Sequence, residues 1–321
     1  MNLSVVIPVY NSATILPRLV EELLGVIHPH VGRFEIILVN DSSRDGSWGE
    51  ISTLCGRFPE VRGLNLRRNT GQHNATMAGL NYACGNVTVI MDDDLQHSPS
   101  DVIRLYTKIL EGYDVCYTKF EHIHHPLWKR LGSAFNDRVA RILLDKPAGV
   151  YLSSFKALSA GLREEIIKYT GPYAYIDGLI LMTTGSITTL DAEHRARFDG
   201  RGNYNLAKSL ILWAKMATSF SILPLRLAGI VGALMACIGF LFALVTIFLR
   251  FFSNLPIPLG WTSLFVAIII TGGTQLVALG LIGEYLGRTY VMLNNVPQYS
   301  VKDFRNFTEG ASTDISAQVV S

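Results

Sequence analysis

Two long apolar stretches near the carboxyl end constrain this chain more than any other feature. Residues 227–249 hold no ionisable side chain except the weakly acidic Cys237, and as a helix they reach about 34 Å, enough to span a bilayer core. A second run, residues 261–283, follows the turn-forming segment Ser-Asn-Leu-Pro-Ile-Pro-Leu-Gly at 253–260, which is too short for a domain. A two-helix transmembrane hairpin is the expected structure. Two buried helices of a soluble core are the alternative, but such helices seldom run this long without a polar stripe. Composition agrees: the 321 residues are 49% hydrophobic and only 17% charged, against about 25% charged in an ordinary soluble domain.

Basic residues orient the hairpin. Lys208, Lys215 and Arg226 precede the first run and Arg288, Lys302 and Arg305 follow the second, whereas the connection offers only Arg250. Both termini are therefore expected in the cytoplasm. No secretory leader is read at the start, because the apolar run 3–9 is short, broken by Pro8 and lacks basic residues before it. Residues 206–224 place Leu206, Leu210, Ile211, Trp213, Ala214, Ala217 and Phe220 along the chain with Lys208 and Lys215 between them. This suits an amphipathic helix in the membrane interface, or equally a helix packed on the soluble part. Gly229, Gly232, Gly272 and Gly273 offer close-packing positions for a homo-oligomer.

The first two hundred residues alternate β-branched runs (4–9, 35–40, 61–66, 87–92 and 114–118) with helical segments (14–27, 46–55, 72–83 and 100–111). That alternation predicts an α/β fold, a Rossmann-like, mostly parallel sheet covered by helices. In such sheets ligands gather at the carboxyl ends of strands. Those ends are polar here: Tyr10-Asn11, Asp41-Ser42-Ser43, Arg67-Arg68-Asn69 and Asp92-Asp93-Asp94. Three carboxylates closing an apolar strand are costly without a cation, and a hard divalent ion, Mg2+ or Mn2+, is the expected cofactor. A solvated acidic turn leading into the helix after Ser98 is the alternative.

Other clusters carry less. Cys55, Cys84, Cys116 and Cys237 form no CxxC pair, which fits reduced structural thiols. His122, His124 and His125 precede Pro126 in an expected loop and are read as loop residues near the donor site rather than metal ligands. No basic block or reading motif points to nucleic acid.

Taken in order, Ser4 to Asn11, Val39 to Ser47, Arg68 to His73 and Asp92 to Gln96 resemble the family-2 glycosyltransferases of GT-A fold. Within them the chain is most similar to the polyprenyl-phosphate glycosyltransferases, since Pro224-Leu225-Arg226 and Gly280 to Arg288 around the apolar runs also match. The resemblance implies four parts: a cytosolic GT-A domain at 1–205, the interfacial helix at 206–224, the hairpin at 225–288 and a cytosolic tail at 289–321. It implies an enzyme of the bacterial inner membrane that transfers one sugar, with inversion, from a nucleotide-sugar, a UDP-sugar, to polyprenyl phosphate. Pro8, Tyr10, Asn11 and Asp41 match positions that hold base and ribose; Arg68, Gln72, Asp93 and Gln96 fall near the nucleotide, pyrophosphate or sugar. Asp92 and Asp94 match the metal-binding pair, Asp94 with a catalytic part. Arg197, in the segment His194 to Tyr204, matches an arginine that holds the acceptor phosphate, with Arg201 beside it.

Departures from the pattern are as informative. Ser12 stands where an acidic residue is common, Asn40 replaces the first of two aspartates, and Gly202-Asn203 replaces a Ser-Lys pair. Val150 occupies a position where relatives carry an aspartate often considered catalytic. A phosphate acceptor tolerates that loss because its second pKa is about 6, so it is largely a dianion and needs no strong base. A hydroxyl acceptor would need one, and Asp177 is the candidate. A processive polysaccharide synthase is disfavoured by two spans and the lack of a Gln-x-x-Arg-Trp motif. A non-catalytic membrane scaffold is disfavoured by the intact aspartates.

Overall fold

A computed structural model describes residues 1–120, 150–172, 174–192, 223–252, 260–294 and 296–307. The chain divides into two units, Met1–Asn203 with Asn295–Ser321, and Tyr204–Asn294.

The first unit is built on an eight-stranded mixed sheet, ordered β7-β5-β6-β4-β1-β2-β3-β8 among the described residues. β1 (Leu3–Val9) and β2 (Phe34–Asn40) are buried along their whole length, as expected of parallel strands covered on both faces. Leu3, Val5, Ile7 and Val9 face a core shared with α1 (Leu16–Ile27), α2 (Ser47–Arg57) and α4 (Pro99–Leu110). Val6 faces a second core with α3 (Gln72–Tyr82), α5 (Ala160–Ile166) and α6 (Ile176–Thr183). α1 shows how the sequence dictates this: Leu16, Leu19, Val20, Leu23, Leu24 and Ile27 are all buried on one stripe. Each such side chain contributes about 1.5–3 kcal/mol.

β3 (Val61–Leu66) lies beyond β2, and β4 (Val87–Ile90) lies on the other side of β1, all four parallel. Chain direction across the sheet therefore reverses between β1 and β4, the switch point where α/β sheets open a crevice. Pro8 sits at this opening. The β1–β4 pairing ends at Val6↔Ile90, so a residue without an N–H is tolerated two positions further along. The mostly parallel expectation requires one correction. β6 (Lys156–Ser159) runs antiparallel between β4 and β5 (Val115–Phe120), β8 (Val301–Arg305) runs antiparallel to β3, and only β7 (Ile187–Ala192) adds another parallel pair, with β5.

β8 also revises the picture of a tail at 289–321. Its backbone pairs with β3, Asn65 donates to Asp303 Oδ2 at 2.9 Å, and Asn306 donates to the carbonyls of Cys55 and Val61 at 2.6 and 2.8 Å. Rings of Phe304 and Phe307 meet Tyr82 edge-on.

The second unit contains α7 (Leu223–Phe252) and α8 (Trp261–Leu293), which pack on each other. Among the described residues one segment, Ile270–Leu293, is long and apolar enough to cross a membrane, and α7 holds a shorter apolar stretch at Ala228–Leu241. Ile230, Leu234, Phe240, Leu264, Leu276 and Leu279 are among many large side chains exposed on these helices. Glu284 and Arg288 neutralise each other on α8 through a 2.9 Å hydrogen bond. A Cβ added at Gly229, Gly232, Gly272 or Gly273 would meet nothing within 4 Å, so these glycines are open rather than used between α7 and α8. The interfacial segment at 206–222 lies outside the described residues.

Candidate active site

The loops after β1, β2, β3 and β4 converge at the carboxyl edge of the sheet and are tied to one another by side chains. Asn11 donates its backbone N–H to Ser43 Oγ at 3.1 Å and accepts from the Arg44 N–H at 2.9 Å. Asp41 is 3% exposed, and its carboxylate accepts from the backbone N–H groups of Thr70 and Gly71 at 2.7 and 2.8 Å. Asp41 thus shapes the loop that leads into α3. Gly71 there adopts φ 85° and ψ 158°, a region essentially reserved for glycine. Asn11, Ser42 and Leu95 also have φ between 54° and 58°. Such left-handed conformations cost energy in non-glycine residues and cluster at functional sites.

The three aspartates play three different parts. Asp92 Oδ1 accepts from Gln72 Nε2 at 2.6 Å; its Oδ2 accepts from Ser154 Oγ at 2.6 Å and lies 3.5 Å from His97 Nε2. Burial pushes this carboxyl up, but the His97 and Ser154 hydrogen bonds with the charges of His97 and Lys156 outweigh it and hold it below the usual carboxylate range. Asp93 turns toward β1, where its Oδ2 accepts from Ser12 Oγ at 2.5 Å and from the Tyr10 N–H at 3.1 Å. Burial, aided by the Asp92 charge, raises its pKa despite those two bonds. Asp94 Oδ1 accepts from the Gln96 N–H at 3.0 Å and shapes the turn containing Leu95.

Tyr10 is 47% exposed at the mouth of the crevice, Arg68 is exposed, and Pro8 is buried within β1. Tyr10, Gln72, Asp92 and Asp93 are therefore brought together, with Gln96 beside Asp94. Asp177 is 7% exposed and bonded by Lys156 Nζ, whose charge also acts on Asp92, and by Tyr117 Oη at 3.0 Å. Val150 is partly buried against the second core. Arg197, Arg201, His122, His124, His125 and the segment 146–149 lie outside the described residues.

Sequence reasoning missed Ser154, His97, Lys156 and a partnered role for Ser12. Burial of Cys55 and Cys116 raises their thiols to about 11 and about 12, consistent with inert structural cysteines. Among the described residues no three His, Cys, Asp or Glu side chains converge to hold a metal. Asp92 and Asp94 close the same strand end, and a hard divalent ion needs only one or two carboxylates when water and substrate phosphates complete its shell.

A parallel core with a polar crevice at its switch point is the place where α/β sheets bind their ligands. Residues 4–167 match the family described as Glycosyl transferase family 2. Over 304 residues, 94% of this chain and 93% of the relative, the sequence is 33% identical to undecaprenyl-phosphate 4-deoxy-4-formamido-L-arabinose transferase of Pectobacterium atrosepticum. It is 30% identical to the uncharacterized glycosyltransferase YkcC of Bacillus subtilis, over 93% of each chain. This chain belongs to glycosyltransferase family 2. Glucosyl-3-phosphoglycerate synthase from Mycobacterium tuberculosis, solved with Mn2+, uridine-diphosphate and phosphoglyceric acid, shares the fold at a TM-score of 0.50 and 18% identity, over 68% of this chain and 76% of that one.

Proposed function

We propose that this glycosyltransferase moves a single sugar from a UDP-sugar to a polyprenyl phosphate, with inversion, at the cytoplasmic face of a bacterial inner membrane. The observation that carries the reading is the Asp92–Asp94 strand end at the switch point, with Asp92 held below the usual carboxylate range and bonded by Gln72 and Ser154. The full-length similarity to a transferase named for undecaprenyl phosphate supports the acceptor class.

In this reading Tyr10 offers its exposed ring to the base, and Gln72 and Gln96 line the sugar and pyrophosphate side. Asp92 and Asp94 would hold Mg2+ or Mn2+, which supplies charge neutralisation on the pyrophosphate leaving group. Arg197 and Arg201 would hold the lipid phosphate by bidentate contacts. A phosphate oxygen bonds to the anomeric carbon as the bond from that carbon to the nucleotide breaks. The attacking dianion needs no proton removed, which accords with the apolar Val150 and with Asp177 locked to Lys156. Positioning and charge stabilisation supply the rate.

Connectivity supports the membrane arrangement. β8 pairs with β3 in the sheet that β1 begins, so the segment Tyr204–Asn294 leaves and re-enters the same unit. Its bilayer crossings must then be even in number, as a hairpin of α7 and α8 provides.

The test incubates the full chain in detergent micelles with undecaprenyl phosphate, Mn2+ and a panel of labelled UDP-sugars, and resolves the lipids by mass spectrometry. The proposal predicts one sugar per lipid phosphate, loss of product with EDTA, and recovery on adding Mn2+ or Mg2+. A polymer would favour a synthase; activity unaffected by EDTA would refute the metal role.

A further inference from the structure

Asp92 is gripped from the bend just before β6, 62 residues away in sequence. The β4–β6 ladder ends at Ile90↔Lys156. Continuing its antiparallel register by two residues sets Asp92 opposite Ser154, and Ser154 Oγ donates to Asp92 Oδ2 at 2.6 Å. We propose that Ser154 is a positioning residue that presets the Asp92 carboxylate for a divalent cation, a role that rests on the metal reading above.

The residues around Ser154 leave it little freedom. Ser153, Phe155 and Lys156 are 4%, 0% and 3% exposed. Ser153 Oγ accepts from the Phe155 N–H at 3.2 Å and lies 3.0 Å from Thr118 Oγ1, while the Thr118 N–H donates to the Phe155 carbonyl at 3.1 Å. The Phe155 ring lies 4.7 Å from the ring of His97, which itself approaches Asp92. Lys156 is held by Asp177 and stands 5.2 Å from the centre of the Tyr117 ring. β5, β6 and α6 together thus fix the segment that aims the Ser154 hydroxyl.

A carboxylate offers about four lone-pair positions. Gln72 takes one position on Oδ1, and Ser154 and His97 approach Oδ2, so Oδ1 keeps a position for one further ligand. Partners of this kind set ligand orientation, and their loss typically weakens metal binding about 10–100-fold. Ser154 also gives a function to the segment that carries Val150: where a base is missing, the same stretch supplies a fixed donor to the proposed metal ligand.

The test measures Mn2+ affinity by electron paramagnetic resonance on the full chain in micelles with UDP, comparing wild type with Ser154→Ala, Ser154→Thr and Asp92→Asn. Ser154→Ala should bind Mn2+ about tenfold more weakly, with an unchanged melting temperature and a kcat that recovers at saturating Mn2+. Ser154→Thr should restore affinity. Wild-type Mn2+ affinity in Ser154→Ala, alongside its loss in Asp92→Asn, would overturn the role of Ser154 alone. Full Mn2+ binding by Asp92→Asn would remove the metal reading and this proposal with it.

Discussion

The two ends of the central sheet are built on opposite principles. At the carboxyl end the loops are polar, partly exposed and strained: Asn11, Ser42 and Leu95 hold left-handed backbones, and hydrogen bonds run from loop to loop. At the amino end a charge is buried and ion-paired. Glu35, 0% exposed, accepts from Ser4 Oγ at 2.5 Å and from the Cys84 N–H at 2.8 Å, and pairs with Arg62 at 2.5 Å. Ser4 Oγ in turn accepts from the Gly85 N–H at 2.8 Å, and Arg163 bonds the Ala83 carbonyl. Gly85 packs so closely that an added Cβ would lie 2.5 Å from the Ser4 nitrogen. Backbone strain thus gathers at one end of these strands and a buried ion pair at the other.

That contrast can be broken by mutation. The largest stability effect is expected at the amino end: Glu35→Ala strands Arg62 and the Cys84 N–H, and should cost about 3–5 kcal/mol in urea unfolding of the full chain. The specific activity of its folded fraction should remain that of wild type; a large loss of turnover without a loss of stability would dissolve the distinction. A smaller effect is expected at the other end. Gly71→Ala meets no atom within 4 Å, so its cost is conformational, about 1–3 kcal/mol. Because Gly71 donates to Asp41 beside the crevice, the variant should also raise the KM for the nucleotide-sugar several-fold. An unchanged KM would place that loop outside the site.

The same contrast shows what could be read from sequence. β1 to β5 and α1 to α4 were legible because β-branched runs and helical spacing repeat within a few residues, as in Leu16 to Ile27. β6, β7 and β8 were not. Lys-Ala-Leu-Ser and Val-Lys-Asp-Phe-Arg are short and mixed, and only their neighbours in the sheet make them strands. The site divides the same way. Tyr10 and Asp92 announced themselves at strand ends and Gln72 through the family resemblance; Tyr10 bonds Asp93 and Gln72 bonds the adjacent Asp92. Ser154 did not, because its partner lies 62 residues away and the contact exists only through antiparallel pairing. Asp93, read as one of several nucleotide contacts, also ties the end of β4 to the loop after β1 through Ser12, the residue that departs from the family pattern.

The central claim is that the carboxyl end at Asp92 performs the chemistry. Its most direct test is the rate at which purified Asp92→Asn protein, with the wild-type melting temperature, transfers labelled sugar from the UDP-sugar that the wild type uses to undecaprenyl phosphate. The account predicts a fall of about 10²–10³-fold, the scale of losing a principal electrostatic group. A rate equal to wild type would contradict it.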